Sequence, residues 1–490
     1  MDMTATGTQS NTRWIALIVL CVGMLMIVLD ATIVNVALPS IQDDLGFSQS
    51  DLAWIVNAYM IAFGGLLLLA GRVGDLIGQR RVFLAGLAVF TAASVVCAVA
   101  PGQAVLIGAR FVQGAGGALT SAVVLGMIVT MFPEPREQAK AIGVYGFVAS
   151  AGGSIGLIAG GVLTDVINWH WIFFVNLPIG VATAVLARRL VEDDPPAGRR
   201  GGADVPGALL LTGGLMLGVY TILETGPRGW GSAHTLVLGA ASLALMAVFV
   251  ARQARVAEPL VPLRLFRSRN VAGANVVMAL WAVGMFGMFF LGALYLQRIL
   301  GYDALAVGLA FLPVTMVMGT LSLRYAGPLQ MRFGQRALIV PSLAAILAGL
   351  LLFSRAPVDG SYLTDVLPVM VLLGLGAGVA APALMSLAMS TATPGDSGLA
   401  SGLINTTVQV GGALGLAVLA TLAEDRTEGL LARGAPAADA LTSGFHHALL
   451  VGAALTAIAI PVAAAVLRSG SSAAAEPEPL VTESVLPEAA

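Results

Sequence analysis

WIALIVLCVGMLMIVLDATIVNVAL, residues 14–38, is predominantly apolar and carries a single charge, Asp30. Roughly 20 apolar residues at 1.5 Å rise each cross the hydrocarbon of a bilayer, so this stretch is long enough to span one. It carries Asp30 and lacks a small-residue cleavage site, so it reads as a span and not as a cleaved signal. Comparable stretches follow at about 51–70, 82–100, 104–132, 139–163, 169–188, 205–223, 233–251, 271–297, 304–323, 337–354, 365–389, 399–422 and 445–467. β-barrel strands would be about ten residues of alternating pattern, which these are not. The expectation is an all-α membrane protein of fourteen helices.

Composition agrees. Of the 490 residues 58% are hydrophobic and only 11% are charged, against about 25% in soluble domains. So few charges cannot cover soluble surfaces, which argues against soluble enzymes and disordered chains. The basic residues are too scattered for a nucleic-acid face. Cys21 and Cys97 lie inside apolar runs and give neither a disulfide framework nor a thiolate metal site. His170, His234, His446 and His447 form no HExxH motif, and Lys140, the one lysine, follows Gln138-Ala139, so there is no phosphate-binding loop. No cofactor, no metal, no ATP and no enzymatic activity are expected.

An even number of spans places both termini on one side, and the positive-inside rule selects the side. With the N-terminus in the cytoplasm, nineteen of the 25 basic residues fall on cytoplasmic segments and five on outer loops, and Arg110 lies inside span 4. The expected organisation is a cytoplasmic N-terminus (1–13), a six-helix bundle (14–188), a linker (189–204) and two inserted helices (205–251). A second linker (252–270), a second six-helix bundle (271–468) and a disordered cytoplasmic tail (469–490) follow.

The six-helix halves repeat. Gly78-Gln79-Arg80 recurs as Gly334-Gln335-Arg336, Gly114-Ala115-Gly116 as Gly376-Ala377-Gly378, and Gly152-Gly153 and Gly156-Leu157 as Gly411-Gly412 and Gly415-Leu416. The order is kept, so spans 1–6 correspond to spans 9–14. Two halves in one orientation describe a secondary transporter rocking about a central site.

Four motifs carry a family likeness. Gly71-Arg72-Val73-Gly74-Asp75-Leu76-Ile77-Gly78-Gln79-Arg80-Arg81 resembles the loop signature of the major facilitator superfamily. Leu29 to Pro39, with Asp30 and Asn35, resembles the first-helix signature of its fourteen-helix drug:proton antiporters. Arg110-Phe111-Val112-Gln113-Gly114 resembles the fourth-helix motif, and Asn168 to Pro178 the start of helix 6 in the same group. Leu76 stands where the loop signature carries a basic residue, and Leu157 where the helix-5 motif carries a proline. The resemblance implies the major facilitator fold and proton-coupled export of drugs.

Asp30 and Arg110 are the two charges well inside spans, each costing about 2.5–3.5 kcal/mol on insertion scales. Both lie roughly 9–12 Å from the outer ends of their helices, counted at 1.5 Å per residue, so they are expected to meet, directly or through Gln113. An acid balanced between burial and a nearby cation suits a proton switch. A static pair holding spans 1 and 4 together is the plainer reading. Asp75, on the same cytoplasmic side as the start of span 13 near Gly398-Leu399, reads as a latch between the halves in the outward-facing state, with Gly71, Arg72, Gly78, Arg80 and Arg81 completing the loop. Gly152, Gly156 and Gly160 form a smooth face for helix packing. Asn57, Tyr59, Gln113, Asn405 and Gln409, with Phe286 and Phe289 of span 9, are the candidates for a substrate cavity. Met285, Met288, Phe290 and Tyr295 of that span suit either the cavity or lipid.

The expected function is export of hydrophobic or cationic drugs in exchange for protons across a bacterial plasma membrane. A proton-coupled or facilitative importer of a small metabolite is the alternative, and a membrane sensor without transport is a third. The excess of arginine over one lysine suggests GC-rich codons.

Overall fold

The computed structural model describes residues 3–191, 203–389 and 397–467. Among them, fourteen helices are long and apolar enough to cross a membrane. We number these α1 (Met3–Leu45), α2 (Gln49–Ile77), α3 (Gln79–Ala98), α4 (Gln103–Met131), α5 (Pro135–Val166), α6 (Trp171–Leu190), α7 (Val205–Leu223), α8 (Ala233–Gln253), α9 (Arg269–Arg298), α10 (Ala304–Phe333), α11 (Gln335–Phe353), α12 (Tyr362–Met389), α13 (Ser397–Leu431) and α14 (Ala437–Val466). Most of the expected 189–204 linker and the whole 469–490 tail lie outside the described residues.

Several helices overrun their apolar stretches. α1 continues through Pro39 to Leu45, α13 continues through Glu424, Asp425, Arg426 and Glu428 to Leu431, and α14 starts at Ala437. The 43 residues of α1 would extend about 65 Å, twice a hydrocarbon core of roughly 30 Å. Hydropathy marks only the part within that core. Beyond it the backbone ladder simply continues, and polar side chains no longer signal an end.

Glycines bring the helices together within each half. Gly114 sits on the backbone of Tyr59, and Gly116 on that of Phe90, which seats α4 against α2 and α3. Gly152, Gly156 and Gly160 line up against Val28, Leu29, Thr32 and Ile33, so α5 lies flat on α1. In the second half Gly376 rests on the Ser342 carbonyl, seating α12 on α11, while Gly411 and Gly415 meet Ala279 and Val283 of α9. Gly78 and Gly334, in corresponding turns, both have positive φ (104° and 77°), a conformation that glycine adopts without the penalty of a Cβ.

Two seams join the halves. α2 runs against α13, with Gly64 on Gln409, Thr406 Oγ1 donating to the Gly64 carbonyl at 2.9 Å, and Gly402 on Leu68. α5 runs against α10, with Gly308 on the Leu157 carbonyl and Ser154 Oγ donating to Thr315 Oγ1 at 2.8 Å. Beyond Ser154 the second seam parts into a cleft of about 190 Å³ lined by Phe147, Ala151, Met316 and Leu323. The inserted helices α7 and α8 pack on each other, and α7 also touches α2 and α13.

Candidate functional site

Asp30 and Arg110 meet. Arg110 Nη1 donates to Asp30 Oδ2 at 2.5 Å, and the two residues are 1% and 0% exposed. α1 supplies the acid and α4 the base. An isolated buried ion would be prohibitive, so each must be fully hydrogen-bonded. Asp30 Oδ1 accepts from Gln113 Nε2 at 2.7 Å and from Asn176 Nδ2 at 2.9 Å. Arg110 Nε donates to the Ile55 carbonyl at 3.0 Å, and its Nη1 also to Gln113 Oε1 at 2.7 Å. The guanidinium carbon lies 4.4 Å from the Tyr59 ring centre, a cation–π contact. Asn176 Nδ2 reaches Ser94 Oγ at 3.0 Å, and Ser94 Oγ donates to the Phe173 carbonyl at 2.9 Å.

Five helices thus share one network: α1, α4 and α6 meet at the carboxylate, α2 holds Arg110 and α3 holds Asn176. Chemically this is a single buried carboxylate with a fixed cation beside it. Protonating Asp30 would remove the charge that Arg110, Gln113 and Asn176 all address, and loosen α1 from α4 and α6 together.

Two expected cavity residues are placed otherwise. Gln113 and Tyr59, 0% and 2% exposed, are sealed against the ion pair, because a buried charge demands donors and a π face more than a substrate does. Asn57 is fully buried on α2, and neither of its amide atoms has a partner. Asn405 is exposed and Gln409 half-buried on α13. Phe286 is half-buried and lies with Met60 against Gly412, and Phe289 is half-buried against the Phe311 ring at 5.3 Å. Met285, Met288, Phe290 and Tyr295 are buried within the second half.

The loop signature lies at the arginine-rich end. Arg72 pairs with Glu258 of the second linker at 3.1 Å, and Arg80 Nη2 donates to the Arg188 carbonyl at 2.6 Å. Arg81 is exposed, Asp75 is half-buried, and Gly71 packs loosely near Ala122. The side chain of Leu399, beside Gly398 at the expected latch point of Asp75, lies outside the described residues.

Sequence reasoning missed Asn176 and Ser94. Asn176 stands in the quoted helix-6 motif, but an asparagine at a helix start reads as a cap. Only its depth, level with Asp30, could have marked it. Ser94 carries no such signal.

Two bundles of duplicated helices, with one buried ion pair in the first, define a membrane transporter of the secondary type. The family model described as Major Facilitator Superfamily matches residues 20–416, and the chain belongs to that family. It is 39% identical over 457 residues to the puromycin resistance protein pur8 of Streptomyces alboniger, covering 93% of this chain and 90% of that one. It is also 39% identical over 431 residues to the cephamycin export protein CmcT of Amycolatopsis lactamdurans, covering 87% and 88%. Among solved structures, a bacterial homologue of the human lysosomal transporter Spinster superposes with a TM-score of 0.66 at 16% identity, covering 92% of this chain and 96% of that one. The nucleoside transporter NupG does so at 0.65 and 12%, covering 92% and 100%. At such identities these two speak for the fold alone.

Proposed function

We propose that this protein exports hydrophobic or cationic antibiotics from a bacterial cell in exchange for protons, by alternating access. The observation that carries the reading is Asp30, a buried carboxylate addressed by Arg110, Gln113 and Asn176. The named activities of the relatives, puromycin resistance and cephamycin export, supply the substrate class. One proton falling through 100 mV releases about 2.3 kcal/mol, enough to concentrate a neutral drug about fiftyfold.

In this reading the arginine-rich end is cytoplasmic, as are both termini. The substrate passes between the halves, along Asn405, Gln409, Phe286 and Phe289. Asn57 becomes a hydrogen-bonding contact once α2 parts from α13. Asp75 latches the halves against the start of α13 in the outward-facing state, and Gly152, Gly156 and Gly160 give α5 a surface on which to slide.

The test is flux in proteoliposomes with an imposed pH gradient, across a panel of cationic, neutral and acidic drugs. Drug movement driven by the gradient in wild type and absent in Asp30→Asn is the expected result. Gradient-driven export by a normally inserted Asp30→Asn protein overturns the coupling role.

A further inference from the structure

At the end opposite the arginine-rich one, two helices are capped by acids from the other half. α2 begins after Ser48, whose hydroxyl accepts the Asp51 amide at 3.0 Å; the preceding amide, Ser50 N, donates to Glu424 Oε2 of α13 at 3.0 Å. α10 begins after Asp303, which accepts the Ala306 amide; the preceding amide, Leu305 N, donates to Asp165 Oδ2 of α5 at 3.0 Å, and Ala304 N to Asp165 Oδ1 at 3.3 Å. In each helix the local cap takes the third amide, and an acid from across the seam takes the second.

The two acids correspond. Asp165 follows Gly156 by the same interval as Glu424 follows Gly415, and those glycines are partners in the internal repeat. Their targets correspond too, since α2 and α10 are the second helices of their halves. The first four amides of a helix have no partner within it and carry partial positive charge. A carboxylate there is held by charge-assisted hydrogen bonds that exist only while the halves touch. Arg298 of α9 adds an unpaired third tie, to Asp43 and to the Pro39 carbonyl of α1.

We propose that Glu424 and Asp165 are a duplicated gate: each half closes this end by capping the second helix of the other. The proposal rests on the orientation given above only in naming this end extracellular. Parting of the halves here uncaps both helices at once, which makes opening of the two seams cooperative.

The experiment is a distance measurement between spin labels at Ala104→Cys and Asp359→Cys, both exposed at this end, in the full chain in lipid nanodiscs. Cys21 and Cys97 are buried. Glu424→Gln and Asp165→Asn keep shape and lose charge. Each is expected to raise the ratio of long to short distances about twofold to fivefold, from the usual strength of a charge at a helix N-terminus, and the pair of substitutions to raise it about tenfold. Asp44→Asn is the control, since Asp44 accepts Trp169 Nε1 at 3.0 Å within one half; it should leave the distances unchanged. A double variant with wild-type distances overturns the gate, and so does an Asp44→Asn shift as large as the others. No drug or proton gradient enters the measurement, so failure of the export reading leaves its outcome legible.

Discussion

The two halves share a backbone plan but not a charge plan. Gly152 and Gly156 meet Val28 and Thr32 as Gly411 and Gly415 meet Ala279 and Val283. In that register Asp30 of α1 corresponds to Trp281 of α9. By the glycine match of α4 and α12, Arg110 corresponds to Leu372 and Gln113 to Leu375. Close packing needs glycine in both halves, because the geometry is the same in both. A buried ion pair needs a full set of donors around it, and among the described residues only the first half has them. Duplication therefore preserved what holds helices together, while the costly charge stands once. If Asp30 exchanges a proton as proposed, one site beside a two-fold frame lets a single event bias a symmetric motion.

The sharpest way to break this contrast is at Asp30. Asp30→Asn leaves Arg110 buried without its counter-charge, at a cost of about 3–5 kcal/mol. A much lower melting temperature and no gradient-driven flux are expected. Asp30→Asn with Arg110→Gln removes both charges, and should recover most of the stability and none of the flux. Adding Trp281→Asp to that pair should restore nothing, since no donors await it. Recovery of flux there would mean the halves are interchangeable after all.

Asn176 tests the donor set at lower amplitude. Asn176→Leu strips Asp30 of one hydrogen bond and Ser94 of another, and should cost about 1–3 kcal/mol. Thermal unfolding in detergent reads the stability, and flux should fall partway between wild type and Asp30→Asn. Unchanged flux would confine the working site to Asp30, Arg110 and Gln113.

How much of this was legible follows from what each residue looks like in isolation. Asp30 and Arg110 stand out because a charge within an apolar run has few innocent explanations. The fourteen spans and their duplication were legible in the same way, from long apolar runs and repeated glycines. Asn176 was hidden because asparagine is ordinary at a helix start, and Ser94 because serine is ordinary anywhere in a membrane helix. Gln113 and Tyr59 were visible as polar groups at depth. Sequence does not say which face of α2 or α4 they take, so a cavity was as natural as an ion pair. Asp165 and Glu424 were hidden for the opposite reason. At the end of a span an acid reads as solvated surface, and only the fold shows a helix from the other half arriving at it.

The shared backbone plan is sharpened by matched glycine substitutions. A Cβ on Gly156 would strike Thr32 and the Leu29 carbonyl, and one on Gly415 would strike Val283. Gly156→Ala and Gly415→Ala should each cost about 1–3 kcal/mol by overpacking. Gly153→Ala meets nothing nearer than Thr32 Cγ2 at 4.0 Å, and should stay within about 0.5 kcal/mol of wild type. Equal losses in the first two, read by thermal unfolding, support one packing plan used twice. A loss in only one half would break it.

The smallest effect lies in the inserted pair, which belongs to neither half. Asp204 caps α7 through the Gly207 amide at 2.9 Å and accepts Arg252 Nε at 2.7 Å and Gln253 Nε2 at 2.9 Å, while Gln253 Oε1 accepts the Val261 amide of the second linker at 3.1 Å. Burial alone would raise the Asp204 pKa, but these hydrogen bonds and the Arg252 charge hold it below its ordinary 3.8. A carboxyl with a lower pKa folded than unfolded contributes stability above the unfolded value and loses it as pH falls through the folded one. The melting temperature of wild type should exceed that of Asp204→Ala by a gap worth about 1 kcal/mol, as for other lost caps. That gap should be flat from pH 8 to 5 and close only below about pH 4. A gap that closes between pH 8 and 6 would assign the anchor to a group other than this carboxylate.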